Sequence, residues 1–125
     1  MSKVRFSESA IRASYLVENP DFYEYEITRH TEKASDAGDS QNHFVTFEGR
    51  SGEMEHVPVN VLFNDKADWA YLPLFVAASG KAEISPEDEF DWDDLVGVKL
   101  KAMTKRGVRF GSDTPCNVLS DYRPL

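Results

Sequence analysis

The stretch VPVNVLFNDKADWAYLPLFVAASG, residues 57–80, changes its period halfway, and that change decides the fold. Val57, Val59, Val61 and Phe63 recur at every second position, the spacing of a strand with one buried face. Asn64-Asp65-Lys66-Ala67-Asp68 then offers a helix N-cap followed by acids suited to a first turn. Trp69 to Ser79 continues with Ala and Leu, and Gly80 suits the C-terminal cap. Pro73 falls inside this run, where it is expected to kink or split the helix.

Working toward the N-terminus, His43-Phe44-Val45-Thr46-Phe47-Glu48 predicts a second strand, closed by Gly49 and by Ser51-Gly52. Residues 34–41 are small and polar and read as a loop. Phe22-Tyr23-Glu24-Tyr25-Glu26-Ile27-Thr28 alternates, with Tyr23, Tyr25 and Ile27 on one face, and predicts another strand. Residues 1–20 are weakly patterned and end at Asn19-Pro20; they read as an arm with at most a short strand. Toward the C-terminus, Ser85-Pro86-Glu87-Asp88 and the segment Asp91 to Gly97 each read as a single turn. Val98, Leu100 and Ala102 alternate with Lys99, Lys101 and Met103 as a fourth strand. Gly107 and Gly111 bracket a short fifth strand, which Cys116 to Tyr122 extends or follows.

The order is strand, strand, strand, helix, strand, strand. It predicts a mainly β domain over 21–125 preceded by an arm over 1–20. It is the connectivity of the OB-fold, a five-stranded Greek-key barrel. An open α+β sheet has the same order.

A chain of 125 residues fits one domain, and fifteen aromatics can furnish its core. No run approaches the ~18 apolar residues of a membrane span. Met1 to Phe6 lack the apolar core of a signal peptide, and Cys116 is the sole cysteine. A cytoplasmic protein without membrane attachment is expected (host cytoplasm if the protein is viral). The net charge of −8 argues against a nucleic-acid partner only until its distribution is seen. Seven acids lie between Lys81 and Lys99 with no base among them, and the rest of the chain holds 15 acids against 14 bases. Residues 98–110 then carry Lys99, Lys101, Lys105, Arg106 and Arg109 and no acid. Local patches, more than the sum, set electrostatic attraction.

Catalytic signals are missing from the sequence. His30, His43 and His56 lack the spacing of zinc ligands and read as surface or half-buried strand residues. Cys116 reads as a buried structural thiol. Asp91, Asp93 and Asp94 imitate a calcium loop, but Val96 stands at its sixth position and Ala102 at its twelfth. No glycine loop of a phosphate-cradling type is present. The sequence therefore predicts a non-enzyme without metal or cofactor.

Aromatic and basic chemistry remains. A positive groove neutralises phosphates and aromatic faces stack bases in single-strand binders. OB-folds use the face of strands two and three with the loops joining strands one to two and four to five. Arg29, Lys33 and His43 flank the first loop; the second, from Thr104 to Thr114, carries Lys105, Arg106, Arg109 and Phe110. Phe44 has the opposite parity to Val45 and Phe47, so it faces out if they face the core. Phe44 and Phe110 could equally cap the ends of a barrel.

Three stretches resemble a small phage-type single-stranded DNA-binding protein with an OB-like fold: Tyr23 to Ile27, Leu62 to Ala67 with the helix ending at Gly80, and Phe90 to Lys101 closing at Asp121 to Leu125. The resemblance spans residues 22–125. It implies sequence-tolerant binding of single-stranded DNA in phage-type replication or recombination, alongside other replication or recombination proteins. Arg29, Lys33, Phe44, Lys99, Lys101, Lys105, Arg106, Arg109 and Phe110 are the expected nucleic-acid contacts. The chain departs from many single-strand binders in ending Arg123-Pro124-Leu125; its acidic stretch is internal. The competing expectation is a protein-interaction or assembly module, or an inhibitor, that uses the acidic segment 83–94. Self-association is compatible with both.

Overall fold

The junction read near residue 64 is where a strand gives way to a helix. In the computed structural model, which describes residues 2–109 and 111–125, the chain runs α1 (Glu8–Ala13), β1 (Asp21–Ala34), β2 (Gln41–Gly49), β3 (Pro58–Asn64), α2 (Asp68–Ser79), β4 (Lys99–Val108) and β5 (Pro115–Pro124). One-turn 3₁₀ segments stand at Gly52–Met54 and Trp92–Leu95. Gly80 ends α2 in the left-handed conformation, at φ 72°, which glycine adopts without a Cβ penalty. Pro73 neither splits nor ends the helix, which continues to Ser79. The expected side-chain N-cap is not made: Ala67 holds that position, and Asn64 instead accepts from the backbone of Lys66.

The five strands form one antiparallel sheet in the order β3-β2-β1-β4-β5. β1 is the shared strand. Residues 21–26 pair with β4 and residues 25–34 with β2, with a bulge between Ile27 and Arg29. The expected closed barrel is not found: among the described residues no ladder joins β3 to β5, and the sheet is open there. Side chains bridge the two edges instead. The rings of Phe63 on β3 and Tyr122 on β5 lie 6.4 Å apart, and α2 packs beside them.

Tyr25, Ile27, Val45, Phe47, Leu100 and Ala102 fill the inner face and are fully buried. Each buried large side chain contributes about 1.5–3 kcal/mol. Tyr25 meets its one polar need through Thr104, at 2.6 Å, and burial pushes its hydroxyl up to about 12. Of the predicted core valines, Val57 and Val59 are buried while Val61 and Val98 are half-buried.

Three boundaries differ from expectation. β1 extends six residues past Thr28, because the bulge lets its polar end keep pairing with β2. Gly107 is not the start of a separate strand; it belongs to β4 opposite Cys116, which is half-buried, and the true fifth strand starts at Pro115. The arm holds a short helix, capped when Ser7 accepts from the Ala10 amide. The arm is also pinned. Val17 is fully buried, its amide donates to Asn117, and Arg106 donates to its carbonyl at 2.6 Å. Glu53 collects the hydroxyls of Tyr15 and Tyr23 and the amides of Glu18 and Asn19.

Candidate nucleic-acid interface

Strand parity sorts the predicted contact residues onto different surfaces. After the bulge, β1 turns Arg29, Thr31 and Lys33 outward, opposite Thr46, Phe44 and Asn42 of β2. β2 in turn sets Phe44 directly opposite Leu62 of β3, and Thr46 opposite Asn60. Phe44 is 40% exposed and Leu62 is 53% exposed, while Val45 and Phe47 are fully buried. The outer face of β1–β2–β3 therefore has an apolar centre, Phe44 beside Leu62, with Arg29 and Lys33 along one side. Neither base has an ion-pair partner among the described residues. Asn60 accepts from Thr46 at 2.7 Å, which leaves its amide nitrogen turned outward as a donor. The single acid at an outward β2 position, Glu48, is held by Arg50 at 2.9 Å.

The other expected contacts are elsewhere. Lys99 and Lys101 lie on the outer face of β4, directly opposite Glu26 and Glu24 of β1. Like and unlike charges alternate there, so that surface carries little net field. Lys105, Arg106 and Arg109 lie beyond the opposite end of β1 from the turn at 35–40, since Thr104 already pairs with Asp21. Arg106 donates its Nε–H to the Val17 carbonyl and so helps to hold the arm. Phe110 lies outside the described residues. Arg29, Lys33 and Phe44 are thus brought together, and the five bases of 99–109 are not brought to them.

The histidines overturn a further expectation. His43 follows the first loop, at the third position of β2, but its side chain is buried inside the sheet at 4% exposure. His30 Nε2 stands 3.0 Å from His43 Nδ1, and His30 Nδ1–H donates to Asp93 at 2.8 Å. Trp92 stacks on His43 with centroids 4.0 Å apart and planes 7° from parallel. Burial first, and then the neighbouring His30, pushes the His43 imidazole below its usual range. Trp92 also meets Tyr71 and Phe75 of α2, so this cluster locks the acidic connection onto both the sheet and the helix. Among the described residues no group of His, Cys, Asp and Glu is arranged to hold a metal ion.

Leu62 and Asn60 were missed as surface residues, although Val59, Val61 and Phe63 facing inward already imply that they face out. No family model matches the chain, and no curated protein is significantly similar to it. Among the described residues no helix is long and apolar enough to cross a membrane.

Proposed function

We propose that the protein binds single-stranded DNA on the outer face of β1–β2–β3, without catalysing a reaction. The observation that carries this reading is the exposed Phe44–Leu62 pair set beside Arg29 and Lys33, which have no ion-pair partner among the described residues. An aromatic face stacks any base, worth ~1–3 kcal/mol per base, and two bases alongside neutralise the phosphates that connect stacked nucleotides. Asn60 adds a hydrogen-bond donor for a base edge or a phosphate. The face has too few directional groups for reading a sequence, which fits sequence-tolerant binding.

The topology supports the same reading. β1 is shared between β2 and β4, with β3 and β5 as the remaining edges, an order that resembles an OB-type barrel opened between β3 and β5, and OB barrels are often partly open. Their ligand surface is the one on which Phe44 lies. A place in phage-type replication or recombination follows from the sequence resemblance and is part of the proposal.

Fluorescence anisotropy with a labelled oligo-dT tests it, with duplex DNA of the same length as competitor. Binding that survives excess duplex is expected. No binding at low salt, or equal competition by duplex, overturns the reading.

A further inference from the structure

Between α2 and the segment before β4 runs a groove of about 230 Å³. Phe75, Phe90, Leu95 and Val98 form its apolar floor, and Glu89, Asp91 and Asp94 stand at its rim. None of these three acids has an ion-pair partner among the described residues. A groove of this kind fits an extended segment with apolar side chains on one side and cations on the other.

The chain carries such a segment and leaves it unused. In Lys3-Val4-Arg5-Phe6 the two apolar residues alternate with two bases, and Val4 and Phe6 are each 73% exposed. Extended, Val4 and Phe6 point to one side about 7 Å apart, while Lys3 and Arg5 point to the other. We infer that residues 3–6 of one copy dock in the groove of a second copy, Val4 and Phe6 on the apolar floor and Lys3 and Arg5 at the acidic rim.

The occupant is a second copy because the segment does not sit in the groove of its own molecule: none of residues 3–6 lines it, and Val4 and Phe6 stay exposed. Arg106, near the end of β4, holds Val17, and Arg12 of α1 donates to the carbonyls of Glu53 and Glu55. The groove lies before the start of β4. Arm into groove is a head-to-tail contact, which propagates from copy to copy. This inference does not rest on DNA binding.

Analytical ultracentrifugation of the full chain tests it. The weight-average mass is expected to rise with concentration and to fall back in high salt, where exposed charges are screened. Val4→Ser/Phe6→Ser removes the arm contact and Glu89→Lys/Asp94→Lys the groove contact; all four positions are exposed, so folding is kept. Each double variant should stay monomeric alone. Mixed, they should form a one-to-one dimer and nothing larger, because one intact arm and one intact groove remain. A wild-type chain that is monomeric at every concentration, variants that associate as the wild type does, or a mixture that stays monomeric would each overturn the inference.

Discussion

The outer face of β1–β2–β3 and the flank formed by α2 with residues 83–98 both expose apolar side chains, and their charges are opposite. On the first, Phe44 and Leu62 stand beside Arg29 and Lys33; on the second, Phe90 stands within a connection carrying seven acids. The difference teaches that a net charge of −8 describes the chain and not its surfaces. Nearly a third of the acids are confined to one connection, and the His30–His43–Trp92 cluster holds that connection against the sheet interior. Fields of exposed charges fade within about 8–10 Å at physiological salt, so the two faces can serve partners of opposite sign.

The comparison breaks most readily at Phe44. Phe44→Ala should weaken oligo-dT binding by about 1–3 kcal/mol, roughly 5- to 150-fold, with circular dichroism unchanged. Loss of folding in that variant would mean that the face had been misread. Arg106→Ala should do the reverse. It strips the Val17 carbonyl of a charged donor and should lower stability by about 1–2 kcal/mol, seen as an earlier urea midpoint, with DNA affinity little changed.

The arm, which belongs to neither face, supplies a pH control. Backbone donation from Glu18, with the hydroxyls of Tyr23 and Tyr15, holds the Glu53 carboxyl at about 2, below its usual 4.5. Its ionised form is favoured in the folded state, so its stabilising effect is complete above pH 4.5 and is lost as pH falls toward about 2. Thermal midpoints recorded across that window should fall for the wild type and flatten for Glu53→Gln. The smallest effect is expected on the acidic flank. Asp91→Asn/Asp94→Asn should leave oligo-dT affinity within about twofold or raise it slightly, since those charges are screened from the β1–β2–β3 face. A marked loss of affinity in that variant would merge the two faces into one site.

How far the sequence revealed these faces depended on whether the signal was local. The strand–helix junction at 57–80 was legible because its period changes within a few residues. The outward turn of Phe44 followed from the parity of Val45 and Phe47. The barrel's failure to close was not legible, because whether β3 pairs with β5 depends on contacts between segments far apart in the chain and no local pattern encodes it. The His30–His43 contact was hidden by the bulge after Ile27, which moves His30 onto the buried face by one residue. The contact of Arg106 with Val17 was not legible, because an arginine that meets a phosphate and one that meets a buried carbonyl look identical in one dimension. The helix of the arm, six residues long, is too short to display a period.

On the proposed function, one basic face, with Arg29 and Lys33, meets the DNA and the other bases do not. Anisotropy titrations of labelled oligo-dT at two salt concentrations test it directly, comparing the wild type with Arg29→Glu/Lys33→Glu and with Lys99→Glu/Lys101→Glu. Each phosphate neutralised on a single strand contributes about −0.7 to the log–log salt slope. The first variant should lose affinity and flatten the slope by about 1.4, while the second should keep the wild-type slope. Equal losses in both variants, or a slope unchanged by Arg29→Glu/Lys33→Glu, would contradict the account.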